Sequence, residues 1–275
     1  MTILDHIVAH KYQEVKERKA LSPVLLLEKT LSFQRKPLSL KRFLLRGDLF
    51  GIIAEFKRKS PSKGLMNEFA TSGKVCHEYI QAGASAVSIL TDSEFFGGSS
   101  NDLIDVRGVL DFPILRKDFI VDEYQIVEAR SIGADAILLI TSLHKSDRIE
   151  QLHRFARSLE LEVLIEVHEE NDFSRIPYDA QLVGINSRNL ASLDVDRDRQ
   201  ARLIDKIPPN VIKIAESGIK TTSDYLNLKI AGFNGFLIGE LFMNTPDPGK
   251  SCSSFIDELR QLNIQTDENG KNSRL

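Results

Sequence analysis

The chain has 275 residues, 42% of them hydrophobic and 27% charged, and its 36 Lys and Arg stand against 39 Asp and Glu for a formal net charge of −3. That is the composition of an ordinary soluble globular protein with enough apolar material for a sizeable core, long enough for one large domain or two small ones. The near-neutral balance excludes the broad basic field of a nucleic-acid binder or a polybasic membrane-surface protein, but it leaves room for a small basic pocket that takes an anionic metabolite.

In chain order, residues 1–48 come first. Within them ILDHIVAHKYQEVKER carries Ile3, Ile7, Val8 and Val15 at near-helical spacing among charged residues, which predicts a helical extension packed on the rim of a barrel. The segment is too charged for a signal peptide, and no apolar run in the chain approaches the ~20 residues of a membrane span. From residue 49 on, short apolar, β-branched runs predict strands at about 51–56, 86–91, 113–117, 135–140, 161–167, 182–186, 211–216 and 235–239. The intervals leave room for one crossover helix each, as parallel strands require. Helices ending at a glycine are legible in SGKVCHEYIQAGA, in VDEYQIVEARSIGAD and in LNLKIAGFNGFLIG. Eight alternating units predict an α/β fold, a (β/α)8 TIM barrel with an N-terminal helical extension, over 49–263; an open doubly wound sheet is the weaker alternative, since such sheets commonly have five to seven strands. The polar stretch 264–275 is expected to be a disordered tail.

Parallel barrel strands are nearly all apolar, so polar groups at their C-terminal ends are informative. Glu55 and Lys57 share a face at the end of the first strand, Lys117 ends the third, Glu166 the fifth, Asn186 and Arg188 the sixth, and Glu216 the seventh. Each alone reads as a rim ion pair, a turn residue or a cap, but their convergence on one mouth describes an acid–base-rich pocket for a polar anion. His168 follows Glu166 on the same face and reads as structural, since neither a nucleophile nor a metal motif accompanies it. Ser217-Gly218 after the seventh strand and Gly239-Glu240 after the eighth offer backbone N–H groups for a phosphate, and Ser60-Pro61-Ser62-Lys63-Gly64 after the first is a basic, flexible loop suited to a lid or anion clamp. Cys76 and Cys252 show neither disulfide nor zinc spacing, and two thiols in a chain of this size fit a reducing cytoplasm.

IIAEFKRKSPSKG, SILTDSEFFGGS, PILRKDFIVDEYQI, EVLIEVH, VGINSRNL, IAESGI and FLIGE, in this order and at strand ends, resemble the indole-3-glycerol phosphate synthase family from the extension to about residue 260. The resemblance implies conversion of 1-(2-carboxyphenylamino)-1-deoxyribulose 5-phosphate to indole-3-glycerol phosphate, CO2 and water in tryptophan biosynthesis. It implies no cofactor, no metal and a small phosphorylated molecule as partner; association with other enzymes of the pathway stays undecided. By the same resemblance Lys117 is the acid that activates the substrate ketone, and Lys57 and Glu166 form an acid–base pair for dehydration, with the assignment of the three to individual steps left open. Glu55 is expected to orient Lys57, Asn186 and Arg188 to hold substrate hydroxyls and the ring carboxylate, and Glu216 to bind a hydroxyl or buttress a lysine. Ser217, Gly218, Gly239 and Glu240 would cradle the phosphate, Phe95 and Phe119 would wall the anthranilate ring, and Ser60 would add a hydrogen bond. Leu241 stands where many relatives have a small residue, which matters only if a side-chain hydroxyl is needed there. A phosphosugar isomerase or an aldolase forming a Schiff base on Lys117 is the alternative.

Overall fold

A computed structural model describes residues 3–189, 194–196 and 198–272, with residues 263–272 described through their backbone; Leu190 of the VGINSRNL motif lies outside them. Eight parallel strands, β1 (Ile52–Phe56), β2 (Ala86–Leu90), β3 (Ile114–Lys117), β4 (Ala136–Ile140), β5 (Glu162–Val167), β6 (Leu182–Asn186), β7 (Ile212–Glu216) and β8 (Gly235–Ile238), close into a barrel in which β1 pairs with both β2 and β8. Every predicted strand is present within a residue or two. Alternation along each strand sorts the side chains. Ile52, Ala54 and Phe56 point outward under the helices, whereas Ile53, Ala86, Leu115, Leu138, Leu164, Leu182, Ile214 and Leu237 fill the barrel interior. The inward parity carries on to Glu55, Lys117, Glu166, Asn186 and Glu216, and the register Asn186↔Glu216 sets the last two side by side at the C-terminal mouth.

The crossover helices are α2 (Ser72–Ala82), α3 (Ser100–Val109), α4 (Glu123–Ile132), α5 (Ser146–Ser158) and α6 (Thr222–Ile230), with α7 (Pro248–Asn272) closing the ring. Local chemistry explains their ends. α2 and α4 stop at Gly83 and Gly133, whose φ values of 114° and 98° are left-handed, and α4 opens with a capping box between Asp122 and Gln125. Two crossovers depart from the expected pattern. Between β5 and β6 there is a 3-10 helix, Glu170–Arg175, and between β6 and β7 a five-residue helix, Arg199–Leu203. The first is short because residues 168–181 hold Pro177, which cannot continue a helix. At the far end, α7 carries a helical backbone past residue 264, where a tail was expected, as far as Asn272; its first turns are anchored by the buried Cys252, Phe255, Ile256 and Leu259.

The extension does more than sit on a rim. α1 (Ile3–Leu21) lies at the mouth, where Ile7 joins the same apolar cluster as Phe119. Lys11 is buried there, its Nζ 2.7 Å from Glu14, 2.8 Å from Asp92 and 2.9 Å from Asp118, the last two just past the ends of β2 and β3. The chain then descends along α4, with the Tyr124 hydroxyl donating to Arg18 O and Ser22 O and Thr30 donating to Ser131 O. It reaches the opposite end, where Arg35 and the Leu38 amide bind Asp135, and Ser39 and the Lys41 amide bind Glu162, at the starts of β4 and β5. The short helix Leu40–Leu44 plugs that base with Leu40 and Leu44, which belong to the barrel-interior cluster. Among the described residues, no helix is long and apolar enough to cross a membrane.

Candidate active site

Four strands converge on one ammonium group. Lys117 Nζ, at the end of β3, lies 3.4 Å from Glu216 Oε2, 3.6 Å from Glu166 Oε2 and 3.8 Å from Glu55 Oε2. Lys57, one residue beyond β1, donates to the other oxygen of Glu55 at 2.6 Å. Such a density of carboxylate needs space, and two glycines provide it: a Cβ on Gly184 would fall 2.1 Å from Glu216 Oε1, and one on Gly239 would fall 2.5 Å from Glu55 Oε1.

The electrostatics follow from burial and pairing. Burial alone would drive the Lys117 ammonium to give up its proton, but Glu216, Glu166 and Glu55 outweigh it and hold its pKa above the usual lysine value. Burial disfavours charge on Glu55, yet Lys57 and Lys117 keep its pKa below the ordinary carboxylate range. Glu166 and Glu216 divide in opposite directions. For both, burial favours the neutral acid; Lys117 and His168 outweigh it and lower the pKa of Glu166, whereas the charge on Glu166 adds to burial and raises that of Glu216.

Above this cluster opens a cavity of about 660 Å3, within the usual range for a small-molecule site. Of the residues singled out in the sequence, Glu55, Lys57, Ser60, Lys117, Phe119, Glu166, Asn186, Arg188, Ser217, Gly218, Gly239 and Glu240 all line it. Two do not. Glu216 is buried beneath, against Lys117, and Phe95 turns away to meet His10 edge-on at 5.7 Å between ring centroids. The ring that lines the cavity is Phe96, tilted against Phe119 at 5.9 Å. The reason is local: Asp92 Oδ1 accepts from the amides of both Phe95 and Phe96, a turn that sends adjacent side chains in opposite directions.

Residues 59–65 form a small hairpin, Lys59–Ser60 against Gly64–Leu65, which stands beside the cavity. Arg188 spans it and the loop after β8, donating to Ser62 Oγ at 3.2 Å and pairing with Glu240 Oε2 at 3.0 Å, while Lys63 approaches Glu240 at 3.6 Å. The Asn186 Oδ1 accepts from the Arg188 amide at 3.0 Å. Ser217 and Gly218 have consecutive positive φ values of 65° and 81°, a left-handed backbone that costs a serine about 1 kcal/mol. Two contributions are not apparent from charged strand ends. Leu138 and Ile140 of β4 form an apolar wall, invisible to a search for charges, and Lys220 adds a cation beside Ser217-Gly218, two residues further along in ESGIK. His168, read as structural, stands with Nε2 3.2 Å from Glu166 Oε1. Among the described residues no group of His, Cys, Asp and Glu is placed to hold a metal ion.

Comparison with known proteins agrees with this geometry. A family model described as Indole-3-glycerol phosphate synthase matches residues 4–255. A relative of that name from Bacteroides thetaiotaomicron is 42% identical over 258 residues, covering 94% of this chain and 99% of its own. One from Campylobacter fetus is 43% identical over 242 residues, covering 88% and 94%, and one from Salinibacter ruber is 37% identical over 268, covering 96% and 99%. From the extension to the last barrel helix, the chain belongs to the indole-3-glycerol phosphate synthase family.

Proposed function

We propose that Lys117, Lys57 and Glu166 carry the proton transfers by which this family member forms the indole ring. The reaction takes 1-(2-carboxyphenylamino)-1-deoxyribulose 5-phosphate to indole-3-glycerol phosphate, CO2 and water. The observation that supports the assignment is the placement of Lys117 at the cavity floor, held as a cation by three carboxyl groups from three other strands. Lys117 donates its proton to the ketone oxygen as the ring carbon bearing the carboxylate attacks the carbonyl carbon. The carboxylate leaves as CO2, and its bonding electrons restore the aromatic ring. Lys57 then protonates the new hydroxyl, which departs as water, and Glu166, the ionised member of its pair, takes the proton whose loss completes the indole. Before that step Lys57 faces the substrate carboxylate as a counter-charge. Glu216, beneath Lys117 and outside the cavity lining, buttresses the lysine.

The remaining roles follow the lining. The amides of Ser217-Gly218 and Gly239-Glu240, with Lys220 beside the first pair, receive the phosphate. Asn186 and Arg188 hold hydroxyls and the ring carboxylate, Ser60 adds a hydrogen bond from the hairpin, and Phe96 with Phe119 flanks the anthranilate ring. Leu241 also lines the cavity, and phosphate contact through amides makes no demand on its side chain. A Schiff-base reaction needs Lys117 as the neutral amine, and the three surrounding carboxyl groups oppose that form. The two thiols, free and buried, support a reducing, cytoplasmic setting.

Because the chain lacks Trp, product indole fluorescence appears against no indole background from the protein. Lys117→Met is expected to lower kcat by about 10²- to 10⁴-fold in that assay, the scale of a lost general acid. A variant keeping most of its turnover removes Lys117 from the chemistry, and borohydride trapping of a ketose phosphate on Lys117 would transfer the protein to the Schiff-base class. Glu166→Gln should depress kcat while leaving the affinity for inorganic phosphate unchanged; the reverse pattern makes Glu166 a binding group.

A further inference from the structure

The proton-transfer scheme leaves unused a buried titratable group that stands against Glu166. His168 follows β5 on the parity of Glu166, so its ring turns toward the same carboxylate. The residue is only 6% exposed, and its Nε2 stands 3.2 Å from Glu166 Oε1. Its backbone N–H donates to Asp172 Oδ2 at 2.8 Å, which fixes where the ring is carried. Among the described residues neither ring nitrogen has a partner in hydrogen-bond geometry, so the 3.2 Å approach of Nε2 to Oε1 is a close contact short of a formed hydrogen bond, and the imidazole is not part of the cavity lining. The second oxygen of Glu166, Oε2, lies on the Lys117 side at 3.6 Å. The two oxygens of this carboxylate therefore have different neighbours.

We propose that His168 is a positioning residue for Glu166: its Nε2, already 3.2 Å from Oε1, turns its N–H onto that oxygen when substrate is bound, fixes the plane of the carboxylate, and leaves Oε2 as the oxygen presented to the substrate. A carboxylate rotates readily about its last bond, and a proton acceptor that swings loses the alignment on which proton transfer depends. An N–H donor on one oxygen removes that freedom and favours the ionised form. This arrangement requires a proton on Nε2. The other ionisable groups around Glu166 are Lys117 from β3, Glu216 from β7 and Glu55 from β1, of which Lys117 is placed on Oε2.

The inference rests on Glu166 being the proton acceptor, and the tests separate the two. His168→Leu is expected to lower kcat by about 10- to 100-fold with KM and the affinity for inorganic phosphate unchanged. His168→Gln, whose amide nitrogen reaches nearly the same point as Nε2, should recover most of the loss; packing alone would not distinguish an amide from an isobutyl group in this way. In the unaltered protein, 15N spectra of the histidine rings should show His168 as the Nε2–H tautomer, with a resonance that moves in Glu166→Gln. A kcat within threefold of the parent in His168→Leu overturns the proposal, as does an Nδ1–H tautomer indifferent to Glu166→Gln. Should His168→Leu fail to fold, the spectra decide alone. Loss of turnover in Glu166→Gln with His168→Leu intact refutes this inference only; full turnover in Glu166→Gln refutes the assignment of Glu166 itself.

Discussion

At the scale of single residues, the mouth of this barrel depends as much on missing side chains as on charged ones. Glu216 was legible as a polar strand end, but nothing in the local sequence shows that it needs Gly184, on the neighbouring strand, to lie where it does. Gly184→Ala would set a methyl 2.1 Å from Glu216 Oε1 and push that carboxyl away from Lys117. The expected result is a fall in kcat of about 10-fold or more, with a smaller change in inorganic phosphate affinity because that site uses backbone amides and not the Glu216 side chain; isothermal titration and indole fluorescence measure the two. The choice between Phe95 and Phe96 was illegible for a similar reason. Two adjacent aromatic residues offer the same chemistry, and the turn built on Asp92 decides which one enters the cavity.

At the scale of elements, the strands were legible because β-branched apolar runs between turn signals have few other interpretations. α1 was legible from its periodicity, and Ile7 and Val15 are buried as that periodicity requires. Lys11, between them in sequence, reads as part of a solvated face, yet it is fully buried among Glu14, Asp92 and Asp118. Its carboxylate partners Asp92 and Asp118 lie far away in sequence, beyond the reach of any local pattern. Burial opposes the charge on Lys11, but Asp118 and Asp92 raise its pKa above the usual value, and Lys11 with Arg116 lowers that of Asp118 despite burial. Removing the lysine leaves buried carboxylates uncompensated, so Lys11→Met should cost about 3–5 kcal/mol of stability by urea denaturation. For the intact network, the Asp118 contribution is present above the unfolded aspartate pKa near 4 and is lost as pH falls below it. The base plug, Leu40–Leu44, escaped notice because five residues carry too little pattern, although Leu40 is wholly buried.

For the whole molecule, the count of eight strands was enough to specify closure, whereas the net charge of −3 is only a sum. Neither number shows that Lys57, Lys117 and Arg188 are gathered beside Glu55, Glu166 and Glu240 at one end. Global stability should depend on pH through buried histidines as well. Burial, aided by the Arg157 charge, pushes the pKa of His153 down to about 4, and burial lowers that of His144. A folded-state pKa below the unfolded value near 6.5 means that the unfolded chain binds more protons between the two. The histidine contribution is therefore complete above about pH 6.5 and falls as pH drops toward 4, a window whose upper part lies above the titration of unfolded carboxylates. The urea midpoint is expected to decline across it, and less steeply in His153→Leu. An unchanged slope in that variant would assign the decline to other groups.

The descending extension also orders events in time. It leaves the ribosome ahead of the barrel, but Lys11 waits for Asp92 and Asp118, Arg35 for Asp135, Ser39 for Glu162, and the Leu44 plug for Gly235. Until those residues have been synthesised, an amphipathic segment of some forty residues has nothing of its own to dock on. Synthesis order and contact order are thus far apart in this protein: the extension, made before any strand, has its distant partners spread from Asp92 to Gly235, at the last strand.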